Sequence, residues 1–300
     1  MKNKALALIL ALFTFTSIGL AQDYAFKVLA NKGNNEVKSG ESWQPLKTGA
    51  SLSKTDEVKL ADNAYIALVS STGKPMELKQ AGSYKVSDLQ NKAGAGSSVL
   101  NKYTDFILSS NSAEAKKNRL SATGAVHRAT ETAAIDLILP DKNQHSGIYN
   151  DQAVIKWDGS KASGPYVVTF RNMFDDVLAK VETPETTINV NFGDAKFAAE
   201  TAILVEVATK ADAKQGSDQH LIKKLATPEK QKVKTSLSEI MGEVQEETAL
   251  NNFILAGFFE NNNLLIDAIA AYEEAIQLAP DVPSYKEAYD EFLLRNNLKK

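Results

Sequence analysis

The sequence has 300 residues, no cysteine and a formal net charge of −3, and 43% of its residues are hydrophobic. The lack of cysteine excludes a thiol nucleophile, a thiolate metal site, a disulfide framework and a lipid anchor attached to cysteine. A mildly acidic chain has no general attraction to nucleic acid, so we expect no nucleic-acid partner. The length is enough for two or three domains.

The N-terminus has the three parts of a secretory signal. Lys2 and Lys4 supply positive charge, residues 5–13 are apolar, and Gly19 and Ala21 are the small residues that a signal peptidase reads. The alternative is a membrane anchor, but hydroxyl residues interrupt the apolar stretch and leave it short for a spanning helix. We therefore expect cleavage after Ala21, an exported mature chain and no membrane span in that chain.

Residues 22–90 show apolar positions with a period of about two, separated by turn residues. Tyr24, Phe26 and Val28 begin the alternation, and short strands at this spacing predict a compact antiparallel β domain. Residues 65–69 are apolar on both faces, so we expect them to form the central strand.

Part of this region resembles the FecR-like domain. The resemblance covers roughly 65 residues and lies in Gly40, Trp43, Pro45, Leu46, Gly49, Leu52, Asp56, Val58 and the small-residue strand at 64–68. It implies contacts within the cell envelope, and a sensor or regulatory role in an outer-membrane uptake system is one alternative. Those regulators carry a spanning helix before the sensor domain, whereas this chain begins with a cleavable signal. An unrelated small β domain is the other alternative.

Residues 91–130 predict a linker that contains one helix. Residues 91–98 are rich in glycine, alanine and serine, and Val99, Tyr103 and Ile107 then lie on one helical stripe. We expect this helix to pack against a neighbouring β domain.

Residues 131–226 contain at least six short apolar runs that predict strands. Their length and spacing are typical of a β-sandwich of immunoglobulin or fibronectin type. Val154 and Trp157, followed by Tyr166 and Val168, resemble the bacterial Ig-like domains of that class. Without a disulfide, Trp157 is expected to fill the core.

Residues 227–300 predict helices that end or begin at prolines. Seven residues resemble a tetratricopeptide repeat: Leu255, Ala256, Phe259, Ala268, Tyr272, Ala275 and Pro280. The aromatic residue near the start of the family's first helix is replaced by Asn252. The resemblance implies that Phe253, Glu260 and Asn261 line the inner face of the repeat, so they are our candidates for contact with a protein partner.

About one and a half repeats cannot bury a continuous core alone. The helices must therefore pack on the sandwich, extend with the helix predicted at residues 233–244, or dock on a partner.

No residue pattern predicts catalysis, a cofactor or a metal site. His127, His145 and His220 are far apart and share no ligand spacing. We therefore expect a chain that is not an enzyme.

The patterns together predict a multidomain, mainly β protein with a C-terminal all-α part. The predicted units are a signal peptide at 1–21, a FecR-like β domain at 22–90, a linker with one helix at 91–130, an Ig-like or fibronectin-like β-sandwich at 131–226 and TPR-like helical hairpins at 227–300. The preferred function is that of a non-catalytic protein-interaction or scaffold protein of the cell envelope, periplasmic, or else secreted or surface-associated. A glycan-binding protein that uses Tyr149 or Tyr166 of the sandwich is a further alternative, and the sequence leaves the oligomeric state open.

Overall fold

The structure is a computed structural model that describes residues 24–122, 133–140, 144 and 146–299. The predicted signal peptide at 1–21 lies outside the described residues, as do His127 and His145. Within the described ranges, no helix combines the length and the apolar character that a membrane crossing needs. Sheets dominate the first part of the chain and helices form its C-terminal part, so the prediction of this overall architecture is confirmed.

The first unit contains eight antiparallel strands. They are β1 Phe26–Lys32, β2 Glu36–Ser39, β3 Ser42–Pro45, β4 Ser51–Leu52, β5 Glu57–Leu60, β6 Tyr65–Ser70, β7 Pro75–Leu78 and β8 Gly82–Lys85. These strands make two four-stranded sheets in the orders β4-β1-β6-β7 and β3-β2-β5-β8.

Strand β6 is buried along its whole length, as the apolar run at residues 65–69 predicts. Because side chains alternate across a strand, Ile66 and Leu68 enter the core of this first unit, whereas Tyr65, Ala67 and Val69 join a second core made mainly of helices. In its sheet, β6 lies between β1 and β7. Because its two faces enter different cores, it joins the first sheet to the helices.

Three helices follow the first unit, where a linker with one helix was predicted. They are α1 Val86–Ala93, α2 Val99–Ser110 and α3 Ala113–Ala122. The boundary predicted at residue 90 falls inside α1, which buries Val86, Leu89 and Ala93 in the core of the first unit. The spacing of Val86, Leu89 and Ala93 is that of a helix face, but Val86 also fits the period-two alternation of the preceding strand. The predicted helix α2 exists, but it packs chiefly on the C-terminal helices.

The second β unit has strands in two sheets. They are β9 Asp136–Leu137, β10 Gly147–Ile148, β11 Gln152–Asp158, β12 Tyr166–Arg171, β13 Val177–Thr183, β14 Thr187–Asn191, β15 Ala202–Thr209 and β16 His220–Lys224, with a short helix α4 Ala195–Ala198. The sheet orders are β10-β16-β15-β12-β13 and β14-β11-β9. Trp157 is buried between them, with its ring centroid 5.4 Å from that of Tyr166, so the expectation that it fills the core is confirmed.

The C-terminal helices are α5 Thr227–Val244, α6 Ala249–Asn261, α7 Leu265–Leu278 and α8 Pro283–Arg295. Their starts follow local chemistry. The Thr248 hydroxyl caps α6 by accepting a hydrogen bond from the Asn251 amide at 3.2 Å, and Pro283 occupies the first turn of α8. The cap of α5 is Ala226, and the Glu229 carboxylate accepts a hydrogen bond from its amide.

The core of these helices is completed by both β units rather than by further repeats. Leu29 and Tyr65 of the first sheet, Leu100 of α2 and Ile240 of α5 belong to it, whereas Ile266 of α7 enters the core of the second β unit. Of the three predicted ways to bury the helices, packing on the second β unit and extension with the helix at residues 233–244 are both observed. The first sheet, which was not among the three, also packs on them.

Candidate interaction surfaces

The surface predicted to bind a partner is largely covered by the chain itself. Phe253 is 2% exposed, and its ring lies 5.0 Å from that of Tyr285 on α8 and 5.9 Å from that of Tyr272 on α7. Glu260 is also buried, and of the three predicted contact residues Asn261 alone is exposed. The assignment of Phe253 and Glu260 to an open inner face is therefore corrected, because α8 folds over that face.

Glu260 is the centre of a buried hydrogen-bond network between α6 and α8. Its carboxylate accepts hydrogen bonds from Arg295 Nε at 2.5 Å and Arg295 Nη2 at 2.6 Å, and from Asn296 Nδ2 at 2.8 Å. Burial alone would lower the pKa of Arg295, but the hydrogen bonds and charge of Glu260 raise it above its usual range. The guanidinium charge is thus neutralised inside the fold, which defines a structural role for Glu260.

A second buried network joins the first sheet to the helices. The Tyr65 and Tyr285 hydroxyls are 2.6 Å apart, and Tyr65 donates a hydrogen bond to Glu77 at 2.7 Å. Burial opposes ionisation of Glu77, but hydrogen bonds from Lys79, the Leu250 amide and Tyr65 lower its pKa below the usual value. This carboxylate is consequently held as an acceptor at the start of α6.

Asp267 connects α7 to the second β unit. Its two carboxylate oxygens accept hydrogen bonds from the Tyr149 and Asn150 amides, each at 2.8 Å. Burial raises the pKa of Asp267 to about 6, although those hydrogen bonds act in the opposite direction. The site is a tie between elements and carries no open space for a ligand.

The glycan-binding alternative names Tyr149 or Tyr166 as the contact residue. Tyr166 is 4% exposed and donates a hydrogen bond to the Ala162 carbonyl at 2.9 Å. Tyr149 is half-buried, and its ring lies 6.4 Å from that of Phe259. Because a sugar stacks on an exposed ring, the buried Tyr166 does not provide such a contact.

A cleft of about 990 Å³ opens between the second β unit and helices α7 and α8. Trp157 and Tyr289 line it, and their buried Nε1 and hydroxyl groups have no hydrogen-bond partner among the described residues. Burial and then the nearby negative charge of Glu273 raise the pKa of Tyr289. Ala133 and Lys299, at the edges of the described ranges, also line the cleft.

Among the described residues, the most exposed large apolar side chains lie at the tip of the β12–β13 hairpin. Phe174 is 87% exposed, Met173 56% and Val177 48%. Asn172 holds the turn, because its side-chain oxygen accepts hydrogen bonds from the Phe174 and Asp176 amides, each at 2.9 Å. The turn also places Asp175 at a φ of 70°. The exposure of Phe174 is therefore a property of an ordered, hydrogen-bonded turn.

No sequence pattern described above singles out this hairpin tip (residues 172–177) as an interaction surface. The missed signal is in the sequence, because turns favour polar residues and glycine, whereas Met173 and Phe174 are adjacent large apolar residues. An exposed apolar pair of this kind is a candidate for contact with another molecule.

Among the described residues, no group of three or more histidine, aspartate and glutamate side chains could hold a metal ion. His220 uses its Nδ1 in a 3.1 Å hydrogen bond with the Pro140 carbonyl. A comparison with models of known protein families and with curated proteins finds no match to this chain.

Proposed function

We propose that this protein is an exported, non-catalytic interaction or scaffold protein of the cell envelope, which binds a protein partner through the hairpin tip. The observation that carries the proposal is Phe174, which an ordered turn holds 87% exposed beside Met173. The predicted signal at residues 1–21 supports export.

The module types belong to the same proposal. We infer a FecR-like first unit, an Ig-like or fibronectin-like second unit and a TPR-like α6–α7 pair. Supporting the last of these, the small residues Ala268 and Ala275 and the aromatic Tyr272 are fully buried where the resemblance requires close helix packing. In this proposal the helices brace the two β units, and the partner site lies on the second unit.

The charges around the tip define the chemistry of the partner. Asp175 and Asp176 flank the apolar pair and are exposed, and Arg171 reaches Asp175 at 3.5 Å. Two carboxylates against one guanidinium leave the tip weakly acidic. The complementary surface is an apolar pocket with a basic rim, whereas an anionic membrane would repel the tip.

The experiment is affinity capture from envelope extract with the tagged protein and two variants. Phe174→Ser removes the tip's largest apolar group and should abolish capture of the specific partner without changing the melting temperature, because the side chain is exposed. Leu294→Ser is the matched control, since Leu294 is a 40% exposed apolar residue on α8.

Capture of the same partner by wild type and by Phe174→Ser would refute the assignment of the tip. Vesicle co-sedimentation tests whether the hairpin tip binds a membrane instead of a protein. Binding to vesicles of neutral phosphatidylcholine that depends on Phe174 would replace the protein partner with a membrane.

A further inference from the structure

Strand β13 is an unpaired edge of the five-stranded sheet. The opposite edge strand, β10, has two residues, and α7 covers it through Asp267 and the neighbouring amides. β13 has seven residues, and its backbone makes no hydrogen bond to any described residue other than those of β12. In an antiparallel strand every second residue directs its N–H and C=O away from the paired neighbour. Helix α4 contacts β13 but makes no backbone hydrogen bond with it, so these groups of β13 remain without a partner among the described residues.

The side chains along this edge complement a second copy of themselves. Ala179, Val181 and Thr183 lie on the core-facing side, since they pair with Phe170, Val168 and Tyr166 of β12. The exposed Lys180 and Glu182 project from the other side, with opposite charges two residues apart.

We propose that two copies of this chain associate by antiparallel pairing of β13 with β13, centred on Val181. In this register Lys180 of each copy faces Glu182 of the other, so two cross-strand ion pairs form around the two-fold axis. Ala179 faces Thr183 of the second copy on the core-facing side, and the two five-stranded sheets become one.

The charges select this register over its neighbours. Core-facing side chains stay opposite core-facing side chains only when one strand slides along the other by an even number of residues. A dyad at Lys180 would oppose the two lysines, and a dyad at Glu182 would oppose the two glutamates. The register centred on Val181 is therefore the one that brings opposite charges together.

Two features bear on the strength of the contact. β13 contains a bulge, since Arg171 pairs with Val177 and Phe170 with Ala179. The bulge twists the strand near the hairpin tip, and the proposed centre at Val181 lies outside the twisted part. Glu182 also forms an exposed 2.6 Å ion pair with Lys210 in its own chain, a type of contact that contributes little. An edge-only interface buries less than about 1,200 Å², so we expect micromolar association.

The dimer is separable from partner binding at the hairpin tip. β13 begins at Val177, four residues and roughly 13 Å along the strand from Val181, and Phe174 lies in the turn before it. It therefore lies beyond the paired segment, and loss of one activity need not remove the other.

The test is sedimentation velocity of the full chain over a range of micromolar concentrations, with charge variants of the edge. The wild type should show a monomer–dimer equilibrium. Lys180→Glu and Glu182→Lys should each weaken it at least about tenfold, because like charges then oppose one another twice. Lys85→Glu is the matched control, since Lys85 is exposed on β8, the edge strand of another sheet, and it should dimerise like the wild type.

Mixing the two weakened variants gives the decisive readout. The Lys180→Glu chain carries negative charge at positions 180 and 182, and the Glu182→Lys chain carries positive charge at both. In a heterodimer of the two, opposite charges therefore face each other at both cross-strand positions, so the mixture should recover association. A merely misfolded edge would not be rescued by mixing. A wild type that remains monomeric throughout, or a dimer that is insensitive to both substitutions, would overturn the proposal.

Discussion

Replacing Glu260 by glutamine should destabilise the fold strongly. The side chain of Glu260 is 5% exposed and that of Arg295 is 16% exposed, and the two share a bidentate contact at 2.5 and 2.6 Å. Glutamine keeps the size of the side chain but leaves the guanidinium buried without its counter-charge. Breaking a buried ion pair on one side costs about 3–5 kcal/mol, which corresponds to a fall in melting temperature on the order of 10 °C.

The matched control is Asp290→Asn on α8. Asp290 pairs with Lys286 at 2.8 Å, but the side chains are 37% and 69% exposed, so its loss should cost about 0–1 kcal/mol. Circular dichroism melts of the wild type and both variants measure the difference. If the melting temperature of Glu260→Gln equals those of the wild type and Asp290→Asn, the fold does not need the charge of Glu260. The assignment of Glu260 as a structural residue would then be wrong.

Two further predictions concern the contacts between units. Burial raises the pKa of Asp267 from 3.8 to about 6, so its contribution to stability is complete below about pH 4 and is lost as the pH rises through 6. In urea unfolding, the free-energy gap between the wild type and Asp267→Asn should be about 3 kcal/mol larger at acidic than at neutral pH, and a gap independent of pH would contradict this. Gly257→Ala would place a Cβ 2.6 Å from Cγ1 of Ile107. Because this overpacking outweighs the gain in helix propensity, we expect the free energy of unfolding to fall by about 1 kcal/mol. The loss should shrink in an Ile107→Ala background, which removes both close carbons, and a melting temperature raised by Gly257→Ala alone would refute the close approach.

Features with local causes could be predicted from the sequence. The start of α6 follows from the capping hydroxyl of Thr248, and the start of α8 from Pro283, so both have a cause that is visible in the local sequence. The two-sided burial of β6 is visible because its apolar residues are continuous. A local pattern misled at Val86, where one residue fits both the end of a strand alternation and the start of the helical spacing of α1.

Features with distant causes could not be predicted in the same way. Phe253 has the position that a repeat motif gives to an inner face, but its exposure depends on Tyr285, and Tyr285 is in turn held by Tyr65 of the first sheet. No spacing rule connects residues so far apart in sequence. The edge position of β13 is likewise a property of strand order, which alternation within each strand does not specify.

The polar ties between the units indicate what the helices do for the rest of the molecule. Tyr65 meets Tyr285 at the first sheet, and Asp267 meets the Tyr149 amide at the second, with each buried group satisfied. Such contacts add less net free energy than apolar packing, but they accept only one arrangement of their partners, so they fix how the two β units are placed on the helices. The hairpin tip then has a fixed direction relative to the whole chain. If β13 pairs two copies, Phe174 is displayed at both ends of the paired strands, and a partner with two pockets at that spacing would bind more tightly than either tip alone allows.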